Sequence, residues 1–559
     1  MLNNFFRLFN TLKYLQLKQL CFFVLRRKFP AKVVAFNGDP STYKDLQLAP
    51  PITIDNIWEN DKLTFLNISK PAALAGFDWS PKDTSRLWRY NLHYFDYLRD
   101  AKHLPSLKAD LLSAWIANNP QSTQPGWEPF TASLRIVNWI FFLQSVGRPL
   151  PLSEDYLQSL YIQTLWLEKN DEKHILANHY FENLKALCFA GCFFTGADAK
   201  RWRNKATRQL KIQLVEQTLP DGGHYERTPQ YHALMLENYL DLYNLVSHNP
   251  SLFDSDLIEL LEKTCRHGSV FLQDILFPDG GLPLFNDSAF GIAPTINKLQ
   301  DYAGRLLDDV SCAAKHTATL INKPDSGLYG YRSQQDMFVI DCGDIGPDYQ
   351  PGHTHCDFLS YELMLSGRRI IVDSGVYEYE PGEMRALVRS TKAHNTLSVD
   401  GDEQSEIWGE FRLARRAKKI AASIEQNGQY VEFCGAYRGF YAVGGNIVHQ
   451  RKVSMASDDL SCIRKVAIVD TVRGGGEHYI ESYIHLHPDI QAVEDGRSGL
   501  LLTDGNSPLA RLIMDERADY RVEEGLYCPE FGKKITNQLL IMSCRATLPL
   551  QMSYTLLIE

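Results

Sequence analysis

The period of the apolar residues changes once along the chain. From Leu87 to about Ile275 they recur three and four apart, in segments that begin at Arg86, Ser133 and Tyr156 and again over 182–194, 231–246 and 257–275. That spacing lines one helical face and predicts helices that bury a stripe against one another. Past Lys323 the period falls to two. Met337 to Ile340, Ala421 to Ile424, Tyr430 to Phe433, Lys465 to Val472 and Tyr479 to Leu486 predict strands, and Asn427-Gly428 predicts the hairpin turn between two of them. Helices followed by strands predict a multidomain α+β chain, a helical domain and then a β-sandwich. Turn chemistry at Lys323-Pro324-Asp325-Ser326-Gly327 places the join near residues 310–330, so the chain divides at 1–40, 41–320 and 321–559. Pro-Asp-Gly-Gly occurs at 220–223 and at 278–281, each time after a helical stretch. The recurrence points to stacked helical hairpins closed into a toroid or solenoid.

At 559 residues the chain is long enough for two or three domains and a large core. A net charge of −9 argues against nucleic acid as a partner, because phosphate binding requires a basic face. It leaves room for an acidic sugar polymer in a locally basic groove. Eleven cysteines, an odd number without a C-x-x-C pair, fit reduced and packed thiols. The first residues are apolar, but Arg7, Lys13 and Lys18 interrupt them and no small-residue cleavage site follows. We therefore expect residues 1–40 to carry an amphipathic helix, with peripheral contact to a membrane surface and packing on its own domain as the two roles open to it. With no recognisable signal peptide, a cytoplasmic or inner-membrane-associated location is favoured over a periplasmic one.

The densest polar constellation runs from Gly352 to Asp400. Two imidazoles two residues apart on a strand share a face, so His353 and His355 address one site or two adjacent ones. With Asp373 and His394 on neighbouring strands, His355, Asp373 and His394 form a two-His, one-carboxylate set suited to zinc. The plainer alternative is that these residues satisfy hydrogen bonds within a sheet. In the helical half, Asn178-His179 opens a helix on which His179, Glu182 and Asn183 share a face. In Glu226 to His232, Pro229 fits the first turn of the next helix and puts Tyr231 near its start.

Taken in order, these motifs carry a resemblance. Asn-His-x-x-Glu at 178–182, Glu-Arg-x-Pro-Gln-Tyr-His at 226–232, Gly-His-x-His-x-Asp at 352–357, Val-Asp-Ser-Gly at 372–375 and Arg-Ser-Thr-x-Ala-His-Asn-Thr at 389–396 resemble the heparinase II/III-like polysaccharide lyases. The resemblance runs from about Leu87 onward. It implies an incomplete (α/α) toroid followed by an antiparallel β-sandwich, and β-elimination at uronic acid residues of an acidic polysaccharide. The C5 proton of a uronide is acidified only by a carboxyl group that is itself an anion. Donors must therefore stabilise the aci-carboxylate as it develops, a base must take the proton and an acid must protonate the leaving oxygen. By resemblance Asn178 and His179 meet the carboxylate, Tyr231 is the leading acid/base residue and His353 its partner. By resemblance also, His355, Asp373 and His394 hold a structural zinc, with no organic cofactor. Glu182, Glu226, Arg227, Arg135, Arg385 and Arg389 are candidates for contacting substrate, the arginines through their planar forks. Trp88, Trp127 and Trp139 are candidates for stacking on sugars.

Two other classes stay open. A glycoside hydrolase on the same helical scaffold would use a carboxylate pair such as Glu182 and Glu226. A non-catalytic acidic-glycan binding or assembly protein would bind without turnover.

Overall fold

The computed structural model describes residues 2–28, 33–35, 43–55, 57–72, 77–145, 153–308, 319–444, 447–458, 462–494, 499–505 and 507–559. Two helices, α1 (Leu2–Leu12) and α2 (Leu17–Lys28), stand where the sequence predicted one. The expected limit of that segment at residue 40 lies outside the described residues. A small antiparallel sheet follows, β1 (Trp58–Glu59), β2 (Lys62–Phe65) and β3 (Ile68–Pro71), whose strands are too short to leave a periodic signal.

The helical domain consists of α3 (Arg86–Tyr94), α4 (Pro105–Asn118), α5 (Pro129–Ser145), α6 (Glu154–Asn170), α7 (Ala177–Phe193), α8 (Gly196–Gln217), α9 (Pro229–His248), α10 (Ser255–Ile275) and α11 (Ile296–Leu306). Packing of α5 on α3 and α7, of α7 on α8, and of α9 on α10 and α11 builds the incomplete toroid. Helix α7 is its central stave: of its 17 residues only His179 is not buried. Pro229 occupies the first turn of α9, where its missing N–H costs nothing. The two Pro-Asp-Gly-Gly segments form the same turn at the ends of α8 and α10. In each the second-position aspartate accepts from the last glycine's N–H, and Gly222 (φ 91°) and Gly280 (φ 78°) take left-handed backbone that favours glycine. Asp221 then binds Ser326 and Asp279 binds Arg369, tying both helix ends to the first sheet of the next domain.

That sheet is antiparallel in the order β4 (Thr319–Lys323), β5 (Leu328–Arg332), β6 (Met337–Asp341), β7 (Tyr361–Leu365) and β8 (Arg368–Ile371). Both of its faces are covered. Met337, Val339 and Met364 belong to the helical core, while the alternate residues Phe338, Ile340 and Leu363 belong to the core of the sandwich. The toroid and the sandwich are therefore bonded through one buried sheet, and loops at its edge are held rigidly against the helices. A short helix α12 (Glu383–Val388), strand β9 (Leu397–Val399) and a small hairpin, β10 (Ile407–Trp408) with β11 (Arg412–Leu413), come next. The long strands β12 (Lys418–Asn427), β13 (Tyr430–Gly439), β14 (Ile447–Asp458), β15 (Cys462–Arg473), β16 (Glu477–His485), β17 (Ile490–Glu494), β18 (Leu500–Asp504), β19 (Ser507–Met514), β20 (Asp519–Glu530), β21 (Lys533–Thr547) and β22 (Leu550–Ile558) complete it. They form an eight-stranded sheet, β12-β13-β14-β15-β22-β19-β18-β17, facing β20-β21-β16-β9.

One expectation fails. His353, His355, Asp357, Asp373 and His394 lie in connections between elements and not on strands. Their backbone bonds go to other loops: His355 N–H to Asn286 Oδ1 (3.0 Å) and Asn395 N–H to Ser360 Oγ (3.0 Å) replace ladder partners.

Candidate active site

The site forms where the loop between β6 and β7 meets the helical domain. Asp287, on the segment after α10, is fully buried and organises it. Its carboxylate accepts from His353 Nδ1 (2.9 Å) and from His355 Nε2 (2.8 Å), and it pairs through both oxygens with the Arg385 guanidinium. His353 and His355 thus turn to one carboxylate. Burial alone would raise the Asp287 pKa, but the Arg385 charge and the two imidazoles hold it well below the usual carboxylate range.

Tyr231, from the start of α9, lays its ring on the His353 ring with centroids 3.9 Å apart. Its hydroxyl meets that of Tyr379 at 3.3 Å. Burial, then the Asp287 charge, raises the phenol pKa well above its ordinary value, so Tyr231 is protonated at neutral pH. On the other edge of His353, Nε2 lies 3.4 Å from Glu226 Oε2, and Glu226 Oε1 accepts the Asn178 N–H (3.3 Å) at the start of α7. Burial raises the Glu226 pKa, with His353 opposing. Asn178, Glu226, His353 and Tyr231 are thereby linked across the domain boundary. Beside them His179 stacks on Phe130 (4.2 Å) and bonds Glu172 through Nδ1 (3.1 Å).

Left-handed backbone at non-glycine residues gathers around this site. Ala177 (φ 51°) precedes Asn178, Arg227 (φ 53°) follows Glu226 and Asn286 (φ 55°) precedes Asp287. Such conformations cost about 1–3 kcal/mol each and persist where packing enforces them, commonly at functional sites.

Below His353 lies the second imidazole pair. His394 Nδ1 bonds Asp373 Oδ2 (2.8 Å), and the His355 and His394 rings are 5.3 Å apart. His355 Nδ1 and His394 Nε2 are buried without a hydrogen-bond partner.

The C-terminal model of the heparinase II/III-like family matches residues 315–554 and its N-terminal model matches residues 94–306. The chain belongs to the heparinase II/III-like family. It is 23% identical over 456 residues to the heparin-sulfate lyase of Pedobacter heparinus, covering 76% of this chain and 65% of that one. With the heparin-sulfate lyase of Bacteroides thetaiotaomicron it shares 23% over 458 residues, 72% of this chain and 62% of the other. The matched region is thus under two thirds of each of these relatives. The FtsZ-localized protein C of Caulobacter vibrioides is 23% identical over 514 residues, 86% of this chain and 83% of its own. Among solved structures, a heparinase III superposes with a TM-score of 0.67 at 20% identity over 86% of this chain and 79% of that one, which supports the toroid and sandwich fold.

Several of the candidates for contacting substrate are buried or held by internal hydrogen bonds. Arg135 is fully buried with its guanidinium 4.0 Å over the Trp115 ring, and it donates to Gln163 (2.8 Å) and to the His93 carbonyl (3.3 Å). Burial pushes its pKa down to about 9. Arg389 is equally buried and gives its N–H groups to the carbonyls of Thr354, Gly409 and Glu410. Both guanidinium groups are buried and committed to internal hydrogen bonds. Arg227 donates to the carbonyls of Asp325 (2.9 Å) and Ile345 (3.0 Å) and ties loops together. Trp88, Trp127 and Trp139 are buried in the helical core and offer no stacking platform. Glu182 sits in a separate buried network with Asn238 (2.5 Å), beside Lys185 and Asp241. Arg385 acts through Asp287. Asp287, Glu172 and Tyr379 escaped sequence reading because each is defined only by a partner 7 to 148 positions away.

Proposed function

We propose that this protein is a polysaccharide lyase that cleaves an acidic, uronic-acid-containing polysaccharide by β-elimination. The observation that carries this reading is the close, tilted ring contact of Tyr231, from the toroid, with His353, from the sandwich, with Asp287 behind the imidazole. Asp287 holds His353 by Nδ1, so the proton-accepting edge for C5 is Nε2, which faces Glu226 at 3.4 Å. Tyr231, protonated at rest, supplies the proton to the departing glycosidic oxygen. Asn178 and His179, in the first turn of α7, meet the substrate carboxylate where the helix dipole also favours an anion. Hydrolysis adds one water molecule to the products and elimination adds none. By mass spectrometry the two products of a lyase cut sum to the mass of the substrate, whereas a gain of one water per cut would assign a hydrolase.

His179 gives the reaction a pH dependence. Desolvation of the half-buried ring favours its neutral form, but the carboxylate of Glu172, with Glu226 and Glu128 behind it, raises its pKa above the ordinary value. The cation therefore persists to higher pH than that of a free imidazole and is lost as pH climbs through the raised pKa. The stability it contributes is complete below the unfolded-state pKa and disappears over the same climb. We expect kcat/KM to fall on the alkaline side and His179→Gln to lower the plateau and flatten that limb in a pH–rate profile.

Zinc belongs to the same proposal. His355 Nδ1, His394 Nε2 and the Asp373 carboxylate are the donor types zinc takes, and two of them are buried without partners. Among the described residues, however, no three such groups are arranged to hold an ion. A zinc held by His355, Asp373 and His394 would stiffen the loop that carries His353. Chelation is expected to lower both the melting temperature and turnover; a folded, active preparation free of zinc removes the metal from the account.

A non-catalytic role is favoured by a different observation, the match over 83% of a relative named for localisation with FtsZ. Glycan binding without turnover by any acidic polymer would support it.

A further inference from the structure

We propose that α1 and α2 form a docking surface for an anionic lipid bilayer. The two helices are packed with their polar side chains inward. Arg7 pairs with Glu406 (3.0 Å), Thr11 bonds the Leu413 carbonyl (3.2 Å) and accepts from Trp408 Nε1 (3.0 Å), and the Tyr14 ring lies 3.8 Å from the Arg416 guanidinium. Gln19, the buried residue of α2, donates to the carbonyls of Ile175 (3.3 Å) and Tyr349 (3.2 Å). The apolar side chains point away from the protein. Phe6, Leu8, Phe9 and Leu12 on α1 and Leu17, Val24 and Leu25 on α2 are exposed, Phe9 by 57% and Leu17 by 80%. Large apolar side chains exposed together on two consecutive helices mark a binding face.

Charge selects the partner. Before Asp39 the chain carries seven Lys and Arg and no Asp or Glu, although its net charge is −9. Lys13, Arg27 and Lys28 stand exposed beside the apolar residues. A second copy would bring the same cations against them, whereas phosphate headgroups complement them while acyl chains receive Phe9 and Leu17. Among the described residues no helix is long and apolar enough to cross a membrane, so the contact is peripheral.

The surface also adjoins the candidate active site. Helix α1 grips the β10–β11 hairpin, whose Phe411 ring is 6.4 Å from that of His353. Helix α2 grips the segment 171–175, whose Glu172 holds His179. Docking would bring the opening beside a membrane-proximal substrate. The inference stands on the helices alone and does not depend on the chemistry in the cleft.

The test is sedimentation of the full chain with vesicles of phosphatidylglycerol in phosphatidylcholine and with phosphatidylcholine alone. Binding to the first, weaker on the second and falling as salt rises, is the expected result. Phe9→Asp with Leu17→Asp should abolish binding and change the melting temperature little, since more than half of each side chain is already exposed. Arg27→Glu and Lys28→Glu, at exposed positions, should each weaken binding about fivefold or more, and they decide the matter if the first variant unfolds. Failure of the wild type to bind anionic vesicles, or equal binding by both sets of variants, overturns the proposal. So does a shift from dimer to monomer in Phe9→Asp without vesicle binding, which would give the face to a second copy.

Discussion

Tyr231→Phe is expected to fold normally and to lose about a hundredfold to ten-thousandfold in turnover. The hydroxyl makes one hydrogen bond, to Tyr379 at 3.3 Å, so its removal costs about 1 kcal/mol of stability or less. The ring contact with His353 survives the change. What disappears is the proton that the phenol holds at neutral pH and gives to the leaving oxygen. A KM near the wild-type value with a collapsed kcat would place the loss in the chemical step. Turnover within a few fold of wild type would remove Tyr231 from the reaction and leave His353 to act alone.

Asp287→Ala should produce the largest loss of stability of any single change in the site. The carboxylate is the partner of the Arg385 guanidinium and of two imidazoles, all buried or nearly so. Its removal strands an unpaired charge inside the protein, at a cost of about 3–5 kcal/mol. Thermal unfolding reads that cost. Asp287→Asn keeps the volume and part of the hydrogen bonding and should be milder in melting temperature, yet it still releases His353 from its orienting anion. We expect turnover to fall by about a hundredfold or more in the Asn variant. A variant that melts early but turns over normally when folded would reduce Asp287 to a structural role.

Much of this was legible in the sequence because local rules governed it. The switch from a period of three or four to a period of two separates α3–α11 from the sandwich, and Pro229 marks the start of α9 because a proline there sacrifices no hydrogen bond. The order of the Asn-His, Tyr and His motifs led to Asn178, Tyr231 and His353, which Glu226 and the Tyr231–His353 ring contact join into one site. Legibility ended where partners come from distant segments. Arg135 and Arg389 are arginines in family-like surroundings, but their burial follows from tertiary packing against Trp115 and the Thr354 loop, which no local pattern announces. Asp287 lies 66 positions before His353 and gives no sign of its role until the two loops interlock. The strand assignment for His353 to Asp357 failed for a related reason. The apolar residues beside it do form β7 and β8, but His353 to Asp357 precede them in a loop whose backbone bonds are taken by Asn286 and Arg389.

The most direct measurement is ultraviolet absorbance of an unsaturated uronide, followed while the purified protein meets a panel of acidic glycans that includes the host's own surface polysaccharide. A rise with at least one uronic-acid polymer, abolished by Tyr231→Phe and reduced by His353→Ala, is the predicted result. Absence of any rise from a folded protein, or a rise that persists in Tyr231→Phe, would contradict β-elimination at this site.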